Sequence, residues 1–142
     1  MTLDPAVLAE KVAAVERHLA RVASKLPKEA AQLEPATDVS DVVILHLWQA
    51  TQICIDLAVS ACFHARLGAP AGYGDAFARL AAAGWLEGTL AERLKRAAGF
   101  RNVVAHAYEG LDMARVHAAA QHGPADLRAF LRAVRDRLVP TA

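Results

Sequence analysis

Apolar residues recur near the start of the chain at Leu8, Val12, Val15, Leu19, Val22 and Leu26, in steps of 4, 3, 4, 3 and 4. That rhythm keeps one stripe of an α-helix turned toward a core. Asp4 before Pro5 supplies the start, an N-cap followed by the residue whose fixed φ suits the first helical turn, and Pro27 supplies the end. Residues 28–37, "KEAAQLEPAT", read as a connector, with "EAAQL" as the place for an extra helical turn. A second helix follows, capped by Asp38 or Ser40 and running to about Arg66. Its sequence, "DVVILHLWQATQICIDLAVSACF", is apolar nearly all round, so it needs cover on more than one side. The domain's own core provides one side and a second copy of the chain the other.

The segment "LGAPAGYGD" is a loop by its Gly and Pro content. Asp75 then caps a short helix through "AFARLAAAGW", which Gly84 ends. The next helix begins behind "LEGT", with Thr89 as N-cap, and continues toward Gly110. Asp112 caps another short helix, "MARVHAAAQ". Beyond His122-Gly123-Pro124 the last helix extends from about Ala125 to Leu138, with Leu127, Phe130, Leu131, Val134 and Leu138 inward. No repeat, low-complexity tract or linker divides residues 1–142. The expectation is one all-α domain, an up-and-down antiparallel bundle with extra short helices.

Composition supports that class. The chain is 55% hydrophobic and 22% charged, which excludes disorder, and 33 of its 142 residues are alanine, the best helix former. The net charge of +1 decides nothing about nucleic acid, because a local patch suffices for binding. Cys54 and Cys62 lie about 12 Å apart along one helix, too far for a disulfide within it, and free buried thiols suit a reducing compartment. No signal peptide is evident at the N-terminus. His46, Gln49, Gln52 and Asp56 interrupt the most apolar run, unlike a membrane span. A cytoplasmic protein is expected.

The candidate chemistry sits in "AAGFRNVVAHAYEGLD", residues 97–112. Advancing about 100° per residue from Arg101 places Tyr108 near 340°, Asn102 near 100° and His106 near 140°. Phe100, Val103, Val104, Ala107 and Leu111 fill the arc from about 200° to 300°, a core side, while Arg101, Asn102, His106, Tyr108 and Glu109 share the other. Solvated helix faces are usually built from Lys, Glu, Gln and Arg, and Asn, His and Tyr are weaker helix formers.

The spacing R-x-x-x-x-H-x-Y, as Arg101, His106 and Tyr108, resembles the signature of the HepT toxins of the HEPN superfamily. The string "LKRAAGFRNVVAHAYEGLD" is similar to that family's active-site helix, and "HLWQATQICIDLA", "YGDAFARLAAAGWL" and the arginine-studded last helix follow in the family's order. The resemblance implies a metal-independent endoribonuclease, the toxin of a type VII toxin–antitoxin pair, that dimerises to bring two motifs to a shared cleft. It implies a minimal nucleotidyltransferase as antitoxin, with Tyr108 as acceptor of AMP, and no cofactor. Histidine titrates near neutrality and suits proton transfer, arginine suits a phosphorane's charge, and Asn102 can orient His106 or hold a phosphate oxygen. RNA brings its own nucleophile, so a 2′,3′-cyclic phosphate product is expected.

Arg128, Arg132 and Arg135 repeat at i, i+4 and i+7 on the last helix, a basic stripe that can meet RNA or an acidic antitoxin, although solvated surface is the commoner role. His46, His64, His117 and His122 lack metal-ligand spacing, so no metal site is expected. Asp56 reads first as half of a structural ion pair with an arginine and second as a residue facing the cleft, and Trp48 and Trp85 read as core or interface. The alternative to a nuclease is a catalytically silent HEPN module that binds nucleotide or a partner. The Arg101–His106 spacing favours the nuclease.

Overall fold

The computed structural model describes residues 3–138 and contains five α-helices among them. Helix α1 (Pro5–Lys25) starts as expected, with the Asp4 carboxylate accepting the Val7 N–H at 2.9 Å. Leu8, Val15, Leu19 and Val22 are buried, and Val12 and Leu26 half-buried, so the stripe read from the sequence is the packed one. Helix α2 (Asp38–His64) starts at Asp38, but its cap is Thr37, not Asp38 or Ser40. Thr37 Oγ1 accepts the Ser40 N–H at 3.2 Å, and Ser40 Oγ accepts the Thr37 N–H at 3.1 Å. This reciprocal pairing satisfies two donors at once, more than a single carboxylate at Asp38 can do.

By length and composition α2 is apolar enough to cross a membrane, and half of its most apolar window is buried within the domain. Helices α1, α3, α4 and α5 all pack against it, which explains its composition as that of a central core helix. A stripe including Asp41, Leu45, Asp56 and Phe63 stays exposed.

Helix α3 (Tyr73–Ala82) begins two residues before the expected cap. Asp75 lies inside its first turn and reaches back to accept the Ala71 N–H at 2.8 Å while pairing with Arg79 at 2.7 Å. Gly84, at φ +83, ends this segment as anticipated. Helix α4 (Gly88–Ala107) starts behind Glu87, not at Thr89, and passes into a single 3-10 turn, Tyr108–Gly110.

Helix α5 (Met113–Leu138) corrects the expectation of two helices parted at Pro124, which lies inside one continuous helix. Val116, His117 and Ala120 before the proline, and Leu127, Phe130, Leu131 and Val134 after it, are all buried along its length. An interior proline costs about 3 kcal/mol, whereas burying one large apolar side chain returns about 1.5–3 kcal/mol. Four such side chains beyond the proline outweigh the missing hydrogen bond.

The long helices alternate in direction. The end of α1, the start of α2, the end of α4 and the start of α5 converge in one apolar cluster containing Val22, Val43, Leu47, Val104 and Val116, with Trp48, Phe100 and Leu111 half-buried at its margin. A larger cluster fills the rest, with Phe77 and Phe130 packed edge to face at 5.4 Å. Cys54 and Cys62 lie there as buried free thiols, and burial pushes both thiol pKa values up. The smaller cluster supports the candidate site.

Candidate active site

Helix α4 turns Leu94, Ala98 and Val104 inward, which sets Arg101 against α2. The half-buried guanidinium lies 5.0 Å from the Trp48 ring centroid and 5.4 Å from that of Tyr73, the first residue of α3. Arg101 Nε donates to Gln52 Oε1 at 2.6 Å, and Nη1 to Asn102 Oδ1 at 3.0 Å. Gln52 Nε2 in turn donates to Asp56 Oδ1 at 2.9 Å, which fixes the amide so that its oxygen faces the arginine. No carboxylate lies within ion-pairing distance of Arg101 among the described residues. Neutral groups and aromatic faces hold this cation, so its charge is directed without being cancelled.

His106, in the last turn of α4, is exposed and makes no hydrogen bond among the described residues. Asn102 is also exposed, and its side chain serves Arg101, not His106. At Ala107 (φ −140, ψ 39) the α-helix stops, and Tyr108 opens the 3-10 turn. Tyr108 Oη donates to Asp41 Oδ1 at 2.5 Å, across from the first turn of α2. Partial burial, that hydrogen bond and the charges of Asp41 and Glu109 push the phenol pKa up to about 12.

An open groove of about 390 Å³ runs between α2 and the end of α4, lined by Asp41, Ile44, Leu45, Trp48, Val104, Ala105 and Tyr108. Trp48 belongs both to this groove and to the Arg101 cradle, so Arg101 and Tyr108 share the α2-facing side of the segment. His106, at the same helix end, is not among the residues that line the groove.

Several expectations need correction. Of the anticipated core arc, Val104 is buried and Phe100 and Leu111 are half-buried, but Val103 is 49% exposed and Ala107 is exposed, because no described element covers the outer side of this last turn. Asp56 is exposed and forms no ion pair among the described residues; it steadies Gln52. The Arg128–Arg132–Arg135 stripe is not uniformly free. Arg128 is committed to Glu16 of α1 through contacts of 2.9 and 3.1 Å, while Arg132 and Arg135 remain exposed. Trp85 is half-buried beneath Arg137, whose guanidinium lies 5.6 Å away.

Sequence reasoning missed the roles of Gln52, Tyr73 and Asp41. The signal available was the stripe Asp41, Leu45, Trp48, Gln52 and Asp56, at steps of 4, 3, 4 and 4 through an otherwise apolar helix. It also missed His18, whose Nδ1 lies 2.9 Å from His46 Nδ1 between α1 and α2, and the tie from His117 Nε2 to the Pro27 carbonyl oxygen at 2.8 Å.

An antiparallel bundle that gathers an uncompensated arginine, an unengaged histidine and a tyrosine at one helix end has the architecture of a HEPN domain. The chain belongs to the ribonuclease HepT-like family, whose profile matches residues 15–134. It is 27% identical over 129 residues to the mRNA nuclease HepT of Shewanella oneidensis, covering 91% of this chain and 96% of that protein. Among solved structures it is similar to the tri-AMPylated HEPN toxin of Shewanella oneidensis in complex with the MNT antitoxin, with a TM-score of 0.81, 27% identity and coverage of 91% and 96% of the two chains. A toxin–antitoxin structure with AMP-PNP matches with a TM-score of 0.82 and 26% identity, over 91% of this chain and 97% of the other.

Proposed function

We propose that this protein is an endoribonuclease, the toxin of a toxin–antitoxin pair, working as a homodimer without a metal ion. A minimal nucleotidyltransferase neutralises it by transferring AMP to Tyr108. The observation that carries the reading is the contrast within one segment: Arg101 is oriented by neutral partners with its charge unspent, and His106 is exposed and unengaged. A phosphodiester needs both properties at once. The guanidinium stabilises the phosphorane, and the imidazole moves a proton at the 2′-OH or at the leaving 5′ oxygen. Cleavage by the neighbouring 2′-OH leaves a 2′,3′-cyclic phosphate.

Each chain offers one such histidine, whereas a general acid and a general base are two roles. A symmetric dimer supplies the second imidazole. The exposed apolar residues Leu45 and Val103 at this end of the bundle support burial against another copy. Similarity to proteins named as an mRNA nuclease and as an AMPylated toxin bound to its antitoxin supports both the substrate class and the partner. Arg132 and Arg135 are left to meet RNA phosphate or the antitoxin. A cytoplasmic setting goes with an RNA substrate and an ATP donor.

The experiment is cleavage of RNA by purified protein in the presence of EDTA. We expect product bearing a 2′,3′-cyclic phosphate, and a loss of about 100-fold or more in rate for His106→Ala, the usual range for a general acid–base group. Cleavage by His106→Ala at the wild-type rate refutes the reading.

A further inference from the structure

Tyr108 makes a short side-chain hydrogen bond to a residue that the cleavage reading leaves unused. Tyr108 Oη donates to Asp41 Oδ1 at 2.5 Å, joining the turn behind α4 to the first turn of α2. Asp41 has no cationic partner within ion-pairing distance among the described residues, so its carboxylate is directed at the phenol alone. Tyr108 is nonetheless 43% exposed, within reach of an incoming enzyme. The adjoining groove of about 390 Å³, walled by Ile44, Leu45, Trp48, Val104 and Ala105, is of the size that takes small organic ligands.

From this geometry we infer that Asp41 is the general base for adenylylation of Tyr108, a proton acceptor supplied by the toxin and not by the transferase. The inference rests on the reading above that Tyr108 is the AMP acceptor. In the step, Tyr108 Oη attacks the α-phosphorus of an ATP held by the transferase. The new O–P bond forms as the bond from the α-phosphorus to the bridging oxygen breaks, and pyrophosphate leaves with the electron pair. The phenolic proton passes to Asp41 Oδ1 and from there to solvent. A base is required because a phenol whose pKa is pushed up to about 12 presents almost no phenolate at neutral pH. The carboxylate already in hydrogen-bond contact is placed to take the proton as the new bond forms. Once modified, Tyr108 has no proton to donate, and its phosphodiester carries negative charge beside Asp41. The adduct therefore turns away from α2, and the original contact does not re-form.

The test compares the wild-type chain with Asp41→Asn and Asp41→Glu, each incubated with the partner transferase, ATP and Mg²⁺. Adduct is followed by intact mass and located by peptide mapping. Asp41→Asn keeps the shape but accepts no proton, and we expect AMP transfer at pH 7 to slow by about 100-fold or more. Its rate should climb about tenfold per pH unit as phenolate accumulates, whereas the wild-type rate stays much flatter. Asp41→Glu, which restores a carboxylate, should regain part of the loss. Thermal unfolding of each variant and its affinity for the transferase separate chemistry from misfolding or lost docking. If Tyr108 is modified in wild type and Asp41→Asn is modified as fast, with the same pH profile, the base assignment fails and the acceptor reading stands. If wild type carries no adduct on Tyr108, the acceptor reading fails and takes the base assignment with it. Should Asp41→Asn not fold, Asp41→Ser takes its place, and modification of that variant at the wild-type rate with the wild-type pH profile overturns the assignment on its own.

Discussion

Arg101 and His106 stand on one helix, five positions apart, and the fold treats them in opposite ways. Arg101 is half-buried, set beside two aromatic rings and tied to Gln52 and Asn102. His106 is exposed near the fraying end of α4, with its ring nitrogens unclaimed by any described residue. The distinction fits the two roles proposed for them. A charge stabiliser works best when held in place before the reaction, because reorganisation then costs nothing at the barrier. A proton-transfer group must reach a substrate atom, and here its surroundings are left for substrate or a second subunit to complete. On the proposed reading, one chain builds the electrostatic half of a site and leaves the proton-transfer half open.

The strongest way to break this contrast is to spoil the arginine's geometry without removing its charge. Arg101→Lys keeps one positive charge but loses the fork that binds Gln52 and Asn102 together, and it should lower kcat by about 100-fold in an RNA cleavage assay. Gln52→Leu leaves Arg101 intact and removes only its strongest tether. We expect a fall of about tenfold in kcat with little change in KM, because the misplaced group acts chiefly in the transition state. Gln52→Leu activity equal to wild type would show that the cradle does not position the arginine.

A second contrast, between His106 and His18, gives a smaller effect. His18 and His46 share a hydrogen bond of 2.9 Å between their Nδ1 atoms, one donating and the other accepting. Burial, then the nearby His46 and Arg17, lower the His18 pKa below its usual value. A histidine whose pKa is lower in the folded state stabilises the fold when neutral. That contribution is present above the unfolded pKa of about 6.5 and is lost as pH falls through the folded value. Denaturant midpoints should therefore drop between pH 7.5 and 5.5 in wild type, and His18→Gln should flatten the dependence. An equal drop in both proteins would place the acid sensitivity elsewhere.

Much of the scaffold was legible in the sequence because its determinants are local. Asp4-Pro5 and the stripe from Leu8 to Val22 set α1 through neighbours three and four positions apart. The Arg101–His106 segment could be placed on a helix for the same reason. What escaped depends on residues distant in the chain. Gln52 meets Arg101 across 49 positions and Asp41 meets Tyr108 across 67, and helical periodicity carries no information about either pairing. The angular count also assumed a helix continuing through Tyr108. The α-helix stops at Ala107, and Tyr108, like Arg101, meets α2, by a contact to Asp41 that the count could not foresee. Pro124 misled in the other direction, since the buried side chains beyond it hold α5 continuous against a strong local signal.

Mixing wild type with a doubly disabled protein tests the shared-site account most directly. Arg101→Ala/His106→Ala lacks both the cation and the imidazole, so alone it should be nearly inactive. Unfolded and refolded together in equal amounts, about a quarter of the dimers are wild type and about half are hybrids with one intact arginine and one intact histidine. If the two copies share one cleft that needs both imidazoles, activity should fall to about a quarter of that of the same total amount of wild type. If it falls only to about half while hybrid dimers are demonstrably present, each chain works alone and the account is wrong.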